Sequence, residues 1–236
     1  MKLTAKSAFV IALGLLFALG VAFAQVRIIP QKPDKRRLPG PILRGEKSLE
    51  EVISKRRTVR SFAPTPLTLR QLSQILWAAQ GITDTANGFR TVPSAGALYP
   101  LELYVACGDD SIKGLKGGLW RYDPKEHSVV QTGTLDRRKL IALHSHHQMW
   151  AADAPITLVI ACEYSRTTKK YGERGVRYVH FEAGNLSQNV SLQAQSLGLS
   201  TAIIGAFSDR DVRGAMALPE WYEPLLVMPL GYKAAE

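Results

Sequence analysis

A short basic segment at residues 56–62 carries many hydrogen-bond donors. Its sequence is RRTVRSF, with three arginines and two hydroxyl side chains. Arginine forks match phosphate oxygens in a bidentate manner, and a neighbouring hydroxyl supplies a further donor. Because alternate residues of an extended chain point the same way, Arg56, Thr58 and Arg60 are predicted to converge on one phosphate. A solvated basic turn is the alternative interpretation.

A second segment, residues 93–100, places small residues between two prolines. Its sequence is PSAGALYP. Small residues let the backbone approach a flat ligand closely, so the peptide N–H groups of this loop could reach ring oxygens and nitrogens. A tight connection into the following strand is the alternative.

Two further segments lie late in the chain. Residues 178–189, YVHFEAGNLSQN, fall on a predicted long helix in which Gly184 costs about 1 kcal/mol relative to alanine. That cost suggests close packing there, for example against a partner helix, although ordinary core packing remains open. In residues 201–209, TAIIGAFSD, a buried strand ends at Gly205 just before a helix. Backbone donors at such a strand end are a usual place for cofactor contacts.

The order of these four segments resembles the nitroreductase-like family of FMN flavoproteins. The sequence is especially similar to the branch with SAGALYP (residues 94–100) and EAGN followed by QN (residues 182–189). That branch includes azoline dehydrogenases, which form thiazoles and oxazoles in peptides. The resemblance covers roughly residues 49–233.

The resemblance implies a set of cofactor-binding residues, which are Arg56, Thr58, Arg60, Pro93, Ser94, Ala95, Gly96, Ile204, Gly205 and Lys233. The first three resemble contacts to the FMN phosphate and ribityl chain. Residues 93–96 resemble the loop that lies against the isoalloxazine, often from the other subunit. Ile204 and Gly205 match the place where backbone donors meet flavin N5 and O4. Lys233 is the candidate for the family's basic side chain after the last strand.

The implied activity is two-electron, ping-pong transfer through flavin N5, to or from a small organic or peptide-derived substrate. The flavin carries this chemistry and the protein supplies binding and electrostatics, so no nucleophilic side chain is expected. A homodimer is implied, with NAD(P)H or another compound as electron donor. Tyr171 and Arg177 are candidates for lining the substrate pocket.

Two departures from the family pattern motivate other functions. The family's frequent asparagine in the middle loop is Ala97 here, and the basic C-terminal tail is nearly absent. A non-catalytic flavin-binding module is therefore one alternative. A second alternative is an exported basic protein that binds anionic polymers, which would show salt-sensitive affinity for heparin or DNA.

The elements that must position these residues predict an α+β fold, a sheet sandwiched by helices. Ser48 and Thr68 are predicted N-caps of helices that end near Lys55 and Ala79. Further helices are predicted at 137–150 and 177–197, with a short one from Asp209. Strands are predicted at 101–106, 119–122, 128–131, 156–162, 201–204 and 224–230, and the continuous apolar run of 156–162 indicates burial on both faces.

The beginning of the chain has the pattern of a secretory signal peptide. Lys2 and Lys6 precede the apolar stretch 8–21, and cleavage is predicted between Ala24 and Gln25. An uncleaved membrane anchor is the alternative. The predicted organisation is therefore a signal peptide at 1–24, an extended arm or linker at 25–47 and a flavin domain at 48–236, in an exported, periplasmic or secreted protein.

Composition excludes few functions by itself. The 236 residues are 46% hydrophobic with a net charge of +10, which suits a single folded domain and a small anionic ligand. No nucleic-acid-binding motif accompanies the charge. Cys107 and Cys162 are predicted to be buried, with a disulfide left open. A metal site at His144 and His147 is not expected, because no carboxylate or cysteine has a matching spacing.

Overall fold

A computed structural model describes residues 33–235, so the predicted signal peptide at 1–24 lies outside the described residues. The helices are α1 (Leu49–Lys55), α2 (Leu69–Gln80), α3 (Arg138–His144), α4 (Ser165–Tyr171), α5 (Arg174–Ser196) and α6 (Asp209–Ala215). The strands are β1 (Lys35–Arg37), β2 (Leu67–Thr68), β3 (Ile82–Asp84), β4 (Phe89–Arg90), β5 (Leu101–Cys107), β6 (Ile112–Lys113), β7 (Gly118–Asp123), β8 (Ser128–Gly133), β9 (Ile156–Cys162), β10 (Ser200–Thr201) and β11 (Glu223–Gly231). Short 3₁₀ turns occupy Ala95–Ala97 and Met149–Asp153.

The main sheet is antiparallel and has seven strands in the order β1-β8-β7-β5-β9-β11-β10. Alternate residues of its central strands face two separate cores. Leu103 and Leu158 pack with α2 and α5 on one face, whereas Tyr104 and Val159 pack with α3 and α6 on the other. Every residue of β9 is buried, as its apolar run predicted. The α+β fold with a sheet sandwiched by helices is confirmed.

Two N-caps fix where the first helices begin. The Ser48 hydroxyl accepts a hydrogen bond from the Glu51 N–H at 3.2 Å, which starts α1. Thr68 and Gln71 form a reciprocal capping box at the start of α2. These contacts satisfy N–H groups that have no partner within the helix, so local sequence alone located both helices.

The predicted helix over 137–150 is wrong in its second half. The N–H of Ser145 and its hydroxyl both donate to the Ile141 carbonyl, and α3 ends there. His146 and His147 have positive φ angles of 52° and 60°, which a continuing right-handed helix does not allow. His144 and His147 therefore do not share a helix face. Among residues 33–235, no group of three His, Cys, Asp or Glu side chains could hold a metal.

The described part of the predicted arm, residues 33–47, lies on the domain. β1 pairs with residues 128–130 of β8, and Leu38 is buried. His127 connects this segment to the core. Its Nε2 lies 2.9 Å from the Pro39 carbonyl and 2.8 Å from the Ser73 hydroxyl, and its Nδ1 lies 2.8 Å from the Tyr122 hydroxyl. A neutral imidazole that donates to Pro39 and accepts from Tyr122 fits this arrangement.

The register of β5 and β9 separates the two cysteines. Leu101 is opposite Cys162, whereas Cys107 is opposite Ile156. The cysteines are thus six residues apart along paired strands, or about 20 Å, far beyond the reach of a disulfide. Both are free and buried.

None of the helices among the described residues is both long enough and apolar enough to cross a membrane.

His127→Asn is expected to lower the free energy of unfolding by about 2 kcal/mol at pH 8, because the buried Tyr122 hydroxyl loses its partner. The Ser73 hydroxyl and the Pro39 carbonyl keep only the hydrogen bond to each other. Asparagine tolerates the positive φ of this position, 44°. Burial lowers the pKa of His127, so its stabilising effect is complete above pH 6.5 and is lost on acidification. Urea unfolding at pH 8 and pH 5 measures both effects.

His146→Asn is the matched control, since His146 is exposed and also has a positive φ. Equal stability losses in the two variants would show that His127 does not hold the segment.

Candidate functional site

The edge of the main sheet at β10 forms the first part of the candidate site. Ser200 is opposite Gly231, Thr201 is opposite Leu230, and Ile204 continues the same register opposite Val227. Ile204 and Val227 exchange two backbone hydrogen bonds of 2.9 Å each. The Ile204 N–H is therefore used inside the sheet, and the expectation that it donates to a flavin is wrong.

Backbone groups along an antiparallel strand alternate between its two sides. The Thr201 carbonyl points outward and accepts a hydrogen bond from the Val59 N–H at 3.2 Å, so the basic segment is bonded to the sheet edge there. The same alternation directs the N–H groups of Ile203 and Gly205 outward, beyond the end of that pairing. Gly205 is exposed, and a Cβ built on it would meet nothing within 4 Å. We therefore expect the backbone donors available at this edge to be the N–H groups of Ile203 and Gly205.

The basic segment and the C-terminal residues are brought together beside this edge. Phe62 and Lys233 are opposite each other in an antiparallel bridge. The Ala63 N–H donates to the Tyr232 carbonyl at 2.9 Å, and the Ala234 N–H donates to the Ser61 carbonyl at 3.1 Å. Lys233 thus lies next to the segment that contains Arg56, Thr58 and Arg60.

The arginines of the basic segment have different surroundings. Arg57 turns back and donates from Nη1 to the carbonyls of Ser54 and Arg56 at the end of α1. Arg60 lies over the Trp150 ring, with its guanidinium carbon 5.8 Å from the ring centroid. Arg56 caps α1 and is half-buried, whereas Thr58 is exposed. Arg57 is therefore set apart from the predicted phosphate ligands.

The loop of residues 93–100 adopts an unusual backbone conformation. Gly96 has a φ of 64°, and the non-glycine residues Ala97 and Tyr99 have φ angles of 54° and 47°. Left-handed conformations cost L-residues roughly 1–2 kcal/mol each, and asparagine bears that cost best after glycine. The position where the family often has asparagine is thus one that requires a positive φ.

The same loop contacts α4 and α5. A Cβ on Gly96 would lie 2.7 Å from the Tyr171 hydroxyl and 2.9 Å from the Lys170 Nζ. Tyr171 in turn packs edge-on against Tyr178 at 5.2 Å between ring centroids. The predicted substrate residue Tyr171 therefore lies directly against the predicted cofactor loop. Lys170 was missed by sequence reasoning, and only its position next to Tyr171 could have indicated it.

Within one chain, the loop and the basic segment lie at opposite ends of the sheet. Leu101, which follows the loop, is aligned across the sheet with Cys162 and Glu223. Thr58 is aligned through Thr201 and Leu230 with the far end of β9, at Ile156. The length of a seven-residue strand, about 20 Å, separates the two ends. One chain therefore does not bring residues 56–60 and 93–96 together.

The exposed face of α5 is open. A Cβ on Gly184 would meet nothing within 4 Å, so the close packing predicted there is not provided by this chain. Phe181, one turn earlier, is 61% exposed, and the predicted substrate residue Arg177 is exposed at the beginning of the same helix. Asn189 instead faces the domain and donates to the carbonyls of Ala78 and Thr91.

A cavity of about 950 Å³ lies between residues 42–52, α2 and α5, and includes none of the predicted site residues. The backbone donors at 203 and 205 lie on an open edge of a single chain and outside this cavity.

Comparisons with known proteins identify the family of this chain. The model of the nitroreductase family matches residues 53–232. MJ1384, a nitroreductase by name from Methanocaldococcus jannaschii, is 50% identical over 188 residues, which are 80% of this chain and 92% of that protein. The microcin B17-processing protein McbC of Escherichia coli is 26% identical over 70% of this chain, which spans 62% of McbC. The crystal structure of a Ralstonia eutropha nitroreductase has a TM-score of 0.74 at 28% identity, covering 86% of this chain and 90% of that one.

Gly96→Ala and Gly88→Ala are expected to lower stability by a similar amount, about 1 kcal/mol each, because both glycines have positive φ angles of 64° and 71°. Only Gly96→Ala should displace the Tyr171 hydroxyl and the Lys170 amine, since a Cβ on Gly88 meets nothing within 4 Å. Urea unfolding measures the first effect, and crystal structures of the variants measure the second. An unmoved Tyr171 in Gly96→Ala would contradict the contact.

Proposed function

We propose that this chain, which belongs to the nitroreductase family of flavin-dependent oxidoreductases, is an FMN-dependent enzyme that transfers two electrons between a donor and a small organic or peptide-derived substrate. One observation carries the proposal. The outward N–H groups of Ile203 and Gly205 continue the sheet edge to which the basic segment is bonded through Val59 and Thr201. Phosphate ligands and ring donors are thus aligned along one edge.

The chemistry of these donors fits FMN. Arg56 and Arg60 offer planar forks for a phosphate, Thr58 offers a hydroxyl, and Lys233 lies in the adjoining strand. Gly205 lies four residues beyond Thr201, up to about 13 Å along the chain, which separates the phosphate ligands from the amides for the ring. The open space at Gly205 allows a flat group to approach the backbone.

When bound, FMN supplies hydride chemistry that the protein's side chains lack. The residues of this chain then bind and orient. The Gly205 N–H would hold the edge of the ring, and Arg56, Arg60 and Lys233 would hold the phosphate. A backbone donor fixed in the sheet edge would need no rearrangement to stabilise negative charge that develops near it.

Lys170 and Tyr171 are the side chains that best fit the substrate side. Both lie at the Gly96 loop, where an ammonium group and a phenol can donate hydrogen bonds to a substrate. Similarity to McbC, named as a microcin-processing protein, supports a peptide-derived substrate. Similarity to MJ1384 and to the Ralstonia protein supports a small organic acceptor.

A second copy of the chain is proposed to complete each site. The loop at 93–96 and the segment at 56–60 are separated within one chain, so another chain must supply one of them if both contact the same FMN. The open α5 face with Phe181 and Gly184 offers an apolar, close-approach surface for a twofold partner.

Purified protein incubated with FMN is expected to acquire a flavin absorption spectrum. Arg56→Gln and Arg60→Gln should each raise the Kd for FMN by about tenfold or more, since each removes charge-assisted hydrogen bonds to the phosphate. The Kd for riboflavin, which has no phosphate, should stay unchanged. Fluorescence titration with both flavins measures the two constants.

Arg57→Gln is the control, because Arg57 is already bonded to the carbonyls of Ser54 and Arg56 and should leave both constants unchanged. A protein that stays colourless with FMN would overturn the proposed function. Equal weakening of FMN and riboflavin would remove the phosphate role from these arginines.

Co-expression tests the shared site. The double variants Arg56→Gln/Arg60→Gln and Lys170→Ala/Tyr171→Ala should each be nearly inactive in NADH or NADPH oxidation with a quinone or nitroaromatic acceptor. Together they should recover roughly one quarter of the wild-type rate, because half of randomly formed dimers are mixed and each mixed dimer has one intact site.

The two variants carry different affinity tags, so mixed dimers can be purified and confirmed. Mixed dimers that remain inactive, or light scattering that shows only monomers, would place the whole site within one chain.

A further inference from the structure

A second cavity, of about 470 Å³, lies beside the loop of residues 93–100 and has no role in the site described so far. Leu98 and Tyr99 of that loop form one wall, the turn between β7 and β8 forms another, and α4 contributes Arg166. Small-molecule sites typically have volumes of about 300–1,000 Å³. The cavity is therefore large enough for a ligand, and its charges indicate which kind.

The lining of this cavity is rich in charged side chains. They belong to Arg90, Arg121, Lys125, Arg166, Glu102 and Asp123. Arg121 of β7 is opposite Tyr104 of β5. Glu102 lies two residues before Tyr104 and Asp123 lies two residues after Arg121, so both carboxylates share a face of the sheet with Arg121. Four cations and two carboxylates thus line one cavity at the start of β5.

The charge of Arg166 is balanced by the protein. Its Nε donates to Glu163 Oε2 at 2.8 Å, and its Nη1 donates to Glu102 Oε1 at 2.9 Å. The Tyr99 carbonyl and the Tyr222 hydroxyl accept from the same guanidinium at 3.2 Å and 2.7 Å. These bonds make Arg166 a fixed part of the wall and connect α4 to the end of the loop.

The other three cations lack comparable partners in the part of the chain that the structure describes. Arg121 Nη1 lies 3.6 Å from Glu102 Oε2, beyond hydrogen-bond distance. No carboxylate forms an ion pair with Arg90 or Lys125. Asp123 Oδ1 accepts from backbone N–H groups of its own turn at 3.0 Å and 3.4 Å. The cavity therefore presents guanidinium and ammonium donors whose charge the protein does not neutralise directly.

Arg90 is held in place by neutral groups. Its guanidinium carbon lies 4.2 Å from the centroid of the Tyr99 ring, and its Nη1 donates to Gln80 Oε1 at 2.9 Å. Burial lowers the pKa of Arg90, an effect that the charge of Glu102 opposes. A guanidinium has five N–H donors in a planar fork, so Arg90 keeps donors beyond the one bonded to Gln80. A partly buried cation that neutral groups fix in place is preorganised for an anion.

The cavity adjoins the side chains proposed for the substrate. Tyr99 lies three residues after Gly96, against which Lys170 and Tyr171 lie. Arg166 precedes Lys170 by one turn of α4, about 6 Å. A molecule that contacts Lys170 or Tyr171 can therefore reach the cavity with a charged end.

We propose that this basic cavity, lined by Arg90, Arg121, Lys125 and Arg166, binds an oxyanion group, a carboxylate or a phosphate, of a molecule that reacts at the flavin. Guanidinium forks match both groups in geometry and charge. Arg90, Arg121 and Lys125 hold the oxyanion, and Arg166 keeps the wall in place. The assignment of the oxyanion to a reactant rests on the proposed function, whereas the binding of an oxyanion does not.

Titration with inorganic phosphate tests the basic cavity without flavin. The protein used is the double variant Arg56→Gln/Arg60→Gln, so that the segment proposed to bind the FMN phosphate does not respond. At constant ionic strength, the backbone amides of Tyr99 and Lys125 should show saturable NMR shifts. Adding Arg121→Gln should raise the phosphate Kd by about tenfold, because charge-assisted hydrogen bonds are lost.

Arg70→Gln is the matched control, since it removes the same charge from an exposed residue at the start of α2, and it should leave the phosphate Kd unchanged. Arg90→Lys is a second test variant. It keeps the charge but removes the planar fork, so it should also raise the Kd. Shifts that do not saturate, or a Kd that Arg121→Gln and Arg70→Gln change equally, would overturn the proposal.

Kinetics of the FMN-loaded protein identify which reactant carries the oxyanion. The acceptors para-nitrobenzoate and para-nitrobenzyl alcohol differ in the carboxylate, and the donors NADPH and NADH differ in one phosphate. If the acceptor carries the group, Arg121→Gln should raise the KM for nitrobenzoate about tenfold at unchanged kcat and leave the KM for the alcohol unchanged. If the donor carries it, the KM for NADPH should rise relative to the KM for NADH.

The two experiments separate the two proposals. Saturable phosphate binding in a protein that does not bind FMN would contradict only the proposed function. Absent phosphate binding in a protein that binds FMN would contradict only the basic cavity. An active protein in which Arg121→Gln changes none of the four KM values would disconnect the cavity from the reactants.

Discussion

The alternation of backbone hydrogen bonds along the last edge of the sheet determines the rest of the candidate site. Ile204 exchanges two hydrogen bonds with Val227, so its neighbours must direct their amides to the opposite side. The Thr201 carbonyl, which also points outward, is paired with Val59. The pairing register of β10 with β11 thus decides which backbone groups bond to the basic segment and which N–H groups point outward. A shift of this register by one residue would turn the outward groups inward and the inward groups outward.

A second constraint concerns strain. The loop at 93–100 contains two non-glycine residues with positive φ, Ala97 and Tyr99. A sequence optimised for stability would avoid them, because each costs backbone strain. They lie beside Gly96, where an added Cβ would meet Tyr171 and Lys170. Backbone strain that persists in one place indicates a function that requires that geometry.

Sequence patterns predicted the elements whose causes are local. Ser48 and Thr68 cap the helices they were expected to cap, because capping depends on residues three positions apart. The strand 156–162 followed from one uninterrupted apolar run. The break after His144 carried no glycine or proline signal, and the left-handed histidines that cause it are rare. The edge strand at 35–37 lies in a proline- and lysine-rich stretch without periodicity. It is a strand because it pairs with β8, which the local sequence does not reveal.

The family pattern predicted the residues of the candidate site but not their arrangement. Of the predicted segments, the structure brings residues 56–60 and Lys233 together, and the role of these residues in flavin binding stays a prediction. The pattern could not reveal that Ile204 uses its own N–H, because the phase of a ladder depends on the partner strand. The contact between Gln80 and Glu182 was hidden for the same reason, since it joins residues about a hundred positions apart.

The separation of the two halves of the site has a topological cause. The loop at 93–96 precedes β5 and therefore lies at the beginning of that strand, whereas β10 pairs with the part of β11 that is aligned with the end of β5. No side-chain rearrangement can close a gap of about seven strand residues, or roughly 20 Å. A flavin held by both halves thus demands two chains, and a twofold axis beside α5 would form two such sites at once, because an isologous contact repeats every pairing. The proposed FMN site thus makes dimer formation a condition for FMN binding. The open surface around Gly184 offers the contact at which the two chains would meet.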